Sequence, residues 1–360
     1  ICTLLFSSCS NLTLNTEELM RPPQLTEDQR EIFDAYFVRN NKHIERMPLI
    51  EYAPYWDQTL ERWYAEGLDN ALEPDRIQAL MGLDPLWYTT IDPRGEGWKE
   101  PPHGAPVIYS EEEYEALLPC IYPADPFEKV RDFVLARKEE SDRGDYLFEL
   151  NLNGFFWWPR TLLGIENHLV SFYEQPELYH RICRDLLTYN ITAVKRFLEQ
   201  ASPAFILLGE DMSYNHGPMI GKAMWDEFLK PYYLAFLKEM KALGQTVIYD
   251  SDGMVESILP WLVECGFDGI LPLERMAGVD INRLTEQYPT FKFIGGFDKT
   301  VMKDGEEAMR REFERIYPAM KRGCYVPCVD HQTPPDVSLE NYRIYLRLLR
   351  EYATKVVKEA

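Results

Sequence analysis

Four side chains in this sequence have the types and positions to do chemistry together: Glu210, Asp252, Cys328 and His331. Cys328 and His331 stand three residues apart where an apolar stretch turns polar. Residues 324–329 read as a short buried strand, and Asp330, His331 and Gln332 follow at once. Pro334 and Pro335 then stop regular structure. Ser338, with Asn341 three residues on, opens an amphipathic helix through Tyr342, Tyr345, Leu346 and Leu349. The acids of Glu210-Asp211 and Asp250-Ser-Asp252 follow apolar runs in the same way. Thiol, imidazole and carboxylate are all zinc ligands, and a catalytic zinc needs about three of them plus an open position. The same groups serve proton transfer: histidine titrates near neutral pH, and carboxylates held close raise one another's pKa. Each residue also has a plainer reading. Cys328 would be a small buried core residue, His331 a loop histidine bonded to backbone, and Asp211 and Asp250 helix caps or structural acids. Glu210 and Asp252 are therefore the acids assigned to a pocket.

The elements that must position these residues read as alternating strands and helices. Strands are expected at 47–52, 86–92, 146–152, 204–208, 246–249, 269–274, 291–295 and 324–329. Helices are expected at 25–38, 56–67, 176–200, 222–243, 255–265, 281–288 and 306–321, and after Ser338. Eight strands separated mostly by helices imply a (β/α)8 TIM barrel with an N-terminal helical extension, its site at the C-terminal strand ends. Polar residues gather there, with Asp92, Arg275 and Asp298 added to those above. Trp157 and Trp158, after the 146–152 strand, would wall an apolar pocket or simply pack the core. His216 lies in Tyr214-Asn-His-Gly-Pro218, a fixed turn, and is substrate-facing or structural. His43, His103, His168 and His180 show no such constellation. No Gly-x-Gly-x-x-Gly or phosphate-binding loop is present. Residues 1–23 read as a lead-in, 24–360 as one barrel, and 93–126 as a long loop-rich excursion.

Composition sets the outer limits. A chain of 360 residues, 46% hydrophobic and 13% aromatic, buries roughly 75% of its unfolded surface. The net charge of −21 argues against nucleic acid and anionic membranes, which need a basic face. The 7 cysteines show no disulfide framework, so a reducing cytoplasmic compartment is expected. No run reaches the ~18 apolar residues of a membrane span. Ile1–Phe6 leaves room for the end of an export or lipid signal.

From about Leu207 onward the sequence resembles the uroporphyrinogen decarboxylase superfamily. The resemblance rests on Gly209-Glu-Asp-Met-Ser213, Pro231-Tyr-Tyr233, Val247-Ile-Tyr-Asp-Ser-Asp-Gly253, Gly295-Gly-Phe-Asp-Lys299 and Cys328-Val-Asp-His-Gln-Thr-Pro-Pro-Asp-Val-Ser-Leu-Glu-Asn341. It implies a (β/α)8 barrel and one of two chemistries: cofactor-free decarboxylation of porphyrinogen side chains, or zinc-dependent methyl transfer involving a corrinoid protein or coenzyme M. The decarboxylases carry an arginine-rich segment after the first strand, where this chain reads Ile50-Glu-Tyr-Ala-Pro-Tyr-Trp56. The methyltransferases carry a His-x-Cys zinc motif where this chain reads Tyr249-Asp-Ser251, and a later cysteine that Cys328 matches. The reading implied is methyl transfer or demethylation of a small, partly aromatic substrate, with a corrinoid protein as acceptor. Zinc would be held by a rearranged set drawn from Cys328, His331, Glu210 and Asp252. His331, Asp252 and Glu210 would act on protons, while Trp157, Trp158, His216, Arg275 and Asp298 meet substrate. The second reading is metal-free decarboxylation with Asp92 and His331. The third is a barrel that binds a ligand without catalysis. A homodimer is a candidate assembly.

Overall fold

A computed structural model describes residues 28–40, 44–53 and 55–359. The lead-in 1–23 and His43 lie outside the described residues. The helix expected at 25–38 is seen as Gln29–Phe33, continued by a π-helical turn, Asp34–Val38.

The strands are β1 (Leu86–Ile91), β2 (Leu147–Asn153), β3 (Phe205–Gly209), the short β4 (Ser213–Tyr214) and β5 (Gly217–Pro218), then β6 (Val247–Asp250), β7 (Gly269–Leu271), β8 (Lys292–Phe297) and β9 (Tyr325–Val329). Seven of them form one parallel sheet in the order β1-β2-β3-β6-β7-β8-β9, and β4 pairs antiparallel with β5. Helices cross between the strands and cover the outer face. Pro176–Leu198 is typical: proline opens it, and Leu178, Tyr179, Ile182, Leu186, Val194 and Phe197 form its buried stripe. The closing helix Leu339–Lys358 is capped by Ser338, whose hydroxyl accepts from the Asn341 N–H at 3.1 Å, as the sequence led one to expect.

The expected eighth strand, 47–52, is a correction. The segment is buried but pairs with no strand, so the described sheet has seven strands rather than a closed ladder of eight. Pro48 has no N–H to give to a ladder. Side chains make the connections instead. The Glu51 carboxyl accepts from the Val329 N–H of β9 at 3.2 Å and from the Tyr345 hydroxyl at 2.6 Å. Gln78 donates to the Glu51 carbonyl and accepts from the Leu86 N–H of β1, both at 3.0 Å. Asp84 accepts from the Leu49 N–H at 2.8 Å and pairs with buried Arg46 at 2.6 Å. The segment thus bridges from β9 to β1 without strand pairing.

The 93–126 excursion holds a short helix, Glu111–Leu117, and contributes Ile108, Tyr114 and Ile121 to the core.

Candidate active site

The strands alternate across the sheet. In β2 the apolar Phe148, Leu150 and Leu152 pack into the core, while Glu149 and Asn151 line a cavity of about 410 Å3. The parallel register sets Tyr88 beside Glu149 and Thr90 beside Asn151, which neighbours Leu207. Asp250 ends β6 opposite Gly209. Asp211, Asp252, His331, Gln332, Tyr52 and Ala53 complete the lining. The cavity lies at the C-terminal ends of the strands, the position a barrel-like α/β sheet gives its active site.

Asp211 reaches the cavity because its backbone is left-handed, with φ of 43°, a conformation aspartate tolerates better than most residues. That twist separates two adjacent acids. Asp211 lines the cavity, while Glu210 turns away and is buried. The N–H groups of Phe155, Phe156 and Trp157 donate to Glu210 at 2.7, 2.7 and 3.0 Å, and the Tyr233 hydroxyl donates at 2.6 Å. Glu210 therefore caps the helix Trp157–Leu163. Burial pushes its carboxyl up to about 7 against these four bonds. Gly154 makes room for it: a Cβ there would stand 1.9 Å from the Glu210 Cδ. Gly253, with φ of 81°, likewise lets the loop after β6 pass the Tyr214 backbone, where a Cβ would come within 2.5 Å. Its N–H donates to Glu274 at 2.9 Å.

Carboxyl groups dominate the electrostatics. Burial is the first cause at each, and it disfavours the charged form. Glu149, fully enclosed, is pushed up to about 8. Asp252 is pushed up to about 7 by burial and by Asp211 and Glu274. Asp250 goes well up through burial, Asp211 and Asp252. Asp211 is raised by burial. His331 Nε2 lies 3.7 Å from Asp252 Oδ2, and burial followed by Lys299 lowers its pKa, favouring neutral imidazole. Behind this wall, Asp330 accepts from the backbone N–H groups of Arg275 at 2.9 Å and Lys299 at 3.3 Å. It thereby fixes the loops after β7 and β8.

Of the residues expected at the site, Asp252 and His331 line the cavity together. Asp211 and Asp250, read from sequence as structural, line it too, and Glu149 was not anticipated. Asp92 lies elsewhere, paired with Arg94 at 2.6 Å and facing a separate cavity of about 590 Å3 beneath the 93–126 excursion. Trp158 is fully buried and donates to the Tyr122 hydroxyl at 2.9 Å. Trp157 is half-buried beneath the Arg160 guanidinium. His216 is exposed against Tyr214. Arg275 takes part through its backbone, and Asp298 caps the turn Lys299–Asp304 through Thr300. None of these lines the 410 Å3 cavity.

The zinc set does not assemble. Cys328 is fully buried in β9, and burial holds its thiol well above the usual range, whereas a metal requires the thiolate. Glu210 is committed to backbone donors. Among the described residues, no group of three or more His, Cys, Asp or Glu side chains is placed to hold a metal ion.

Residues 158–352 match the uroporphyrinogen decarboxylase (URO-D) family. This is more than half of the 360 residues, and the chain belongs to that family. Among solved structures, a methyltransferase from Methanosarcina mazei superposes with a TM-score of 0.60 at 14% identity, covering 90% of this chain and 98% of that one. This likeness shows a shared fold. A structure assigned as a vitamin-B12 independent methionine synthase from Listeria monocytogenes aligns with a TM-score of 0.46 at 11% identity, over 87% and 98% of the two chains. No curated protein matches the chain in sequence. Among the described residues, no helix is long and apolar enough to cross a membrane.

Proposed function

We propose that this URO-D family member is an enzyme that transfers a methyl group from a heteroatom of a small substrate, held in the 410 Å3 cavity, to an acceptor presented at the cavity mouth. One observation carries the reading: the lining contains Glu149, Asp211, Asp250 and Asp252 and neither lysine nor arginine. A carboxylated substrate would find no cation there to offset its charge, and decarboxylation would lack one to grip the departing carboxylate. Methyl transfer has the opposite requirement. The carbon–heteroatom bond breaks with its electron pair left on the heteroatom, and a lone pair of the acceptor forms the new bond to carbon. The leaving heteroatom then needs a proton. A carboxyl raised toward neutrality, Asp252, is suited to give one, and neutral His331 beside it can return the proton from solvent. Asp211 holds Asp252 in place through the Asp252 N–H, at 3.4 Å. Tyr52 and Tyr88 supply aromatic walls for an apolar or aromatic part of the substrate.

The acceptor that the family resemblance implies is a corrinoid carried by a partner protein, and no residue of this chain is assigned to it. No step is assigned to zinc, because the residues present do not form its site.

The test uses a panel of 13C-methyl amines, ethers and thioethers with chemically reduced cobalamin as acceptor. The reading expects demethylation of at least one donor and labelled methylcobalamin. Carbon dioxide release from carboxylated porphyrinogens, with no methyl transfer from any donor, would overturn it.

A further inference from the structure

A fully enclosed carboxyl group in the cavity has one oxygen without a partner, although Asn151 hydrogen-bonds to the group. Glu149 is 1% exposed, and its Oε2 meets no donor or acceptor. The Oδ1 of Asn151, two residues on along the same face of β2, is also unpartnered. Unpaired buried polar atoms are costly and uncommon in folded proteins. Two of them on one face of one strand, opening into one cavity, mark a place shaped for a ligand that donates hydrogen bonds. Around them stand Asp250, Asp211 and Asp252, with the rings of Tyr52 and Tyr88 as walls. Such a surface holds no cation to receive an anion, and a cation that enters favours the ionised form of these carboxyls and meets aromatic faces.

We propose that the cavity binds a small organic cation, a protonated amine, with its N–H groups on Glu149 and Asn151 and its carbon skeleton between Tyr52 and Tyr88. This deepens the methyl-transfer reading by naming a substrate class, and it rests on that reading only for the reaction, since binding is measured without turnover. In the reaction, an N-methyl ammonium ion loses its methyl group to the acceptor, the C–N electron pair returns to nitrogen, and the neutral amine so formed takes the Asp252 proton and leaves as an ammonium ion, Asp252 being left ionised. The cation answers the Glu149 charge, so binding favours ionised Glu149 and tightens as pH rises toward 8. The groups facing Glu149 are Tyr88 on β1, Asn151 on β2, Asp250 on β6 and Cys328 on β9. Toward the mouth stand Asp211, Asp252 and His331, with Lys299 and Arg160 behind them.

Three probes of one shape separate charge from fit: benzylammonium, benzyl alcohol and benzoate. Each is titrated calorimetrically into the full chain in chelator-containing buffer at pH 7 and pH 8. The expected result is benzylammonium at least tenfold tighter than benzyl alcohol, tighter still at pH 8, and no binding of benzoate. Glu149→Gln is expected to weaken benzylammonium about tenfold and benzyl alcohol less than twofold. Asn151→Leu, a second variant checked for an unchanged melting temperature, is expected to weaken both. Equal affinity for amine and alcohol, preference for benzoate, no binding of benzylammonium, or indifference to Glu149→Gln would each overturn the proposal. Amine binding without demethylation would leave it standing and count against methyl transfer alone.

Discussion

Glu149 pairs an unfavourable burial with an open position for a ligand, and the same residue ties stability to pH. Its folded pKa of about 8 lies above the ordinary glutamate value of 4.5, so the folded chain holds a proton the unfolded chain releases. Stability is full below about 4.5 and is lost as pH rises through about 8. Glu51, also raised to about 8 by burial, acts in the same sense. At ~1.4 kcal/mol per pKa unit, Glu149 alone can contribute at most on the order of 5 kcal/mol of this slope. The expected outcome is a higher melting temperature at pH 5.5 than at pH 8.5, with a flatter profile in Glu149→Gln. A profile identical in both proteins would remove Glu149 as the cause. Glu210 has a different role. Glu210→Gln would turn an NH2 group toward backbone N–H donors. It should destabilise the chain by roughly 2–4 kcal/mol in chemical unfolding, and Gly154→Ala should do comparable damage by driving a methyl into the Glu210 carboxyl. Neither effect should depend on substrate.

The bridging of β9 to β1 by residues 47–53 belongs to the scale of elements. Gln78 holds the Glu51 carbonyl and the Leu86 N–H at once, so Gln78→Ala leaves two buried backbone groups unpaired. Loss of roughly 1–3 kcal/mol is expected. Amide exchange should speed up at Leu86 and Tyr88 while β3 and β6 keep their protection. Uniform acceleration across the sheet would mean that the bridge is not a separate unit. The sequence showed the other seven strands, because each is an apolar run ending in polar residues, and it showed the Ser338 cap from Ser and Asn spacing alone. It hid the unpaired segment, whose apolar run looks like a strand. Pro48 was the available signal. Glu149 was legible in principle: Phe148-Glu-Leu-Asn-Leu-Asn153 alternates strictly, and polar residues on one face of an enclosed parallel strand must point into a cavity. The choice between Glu210 and Asp211 was not legible, because a single positive φ at Asp211 decides which acid faces inward.

At the scale of the whole molecule, a net charge of −21 is matched by a cavity that is itself acidic. The URO-D family fold brings the ends of β1, β2, β3, β6 and β9 together around it. The methyl-transfer account depends on one proton, held by Asp252 with an apparent pKa of about 7 and required on the leaving heteroatom. The most direct measurement is the pH dependence of kcat/KM for the best methyl donor in the wild-type chain and in Asp252→Asn. The account predicts wild-type activity that falls as pH rises through about 7. It also predicts roughly hundredfold or greater loss in Asp252→Asn, with that pH dependence gone. Activity that persists above pH 8, or that survives in Asp252→Asn, would contradict it.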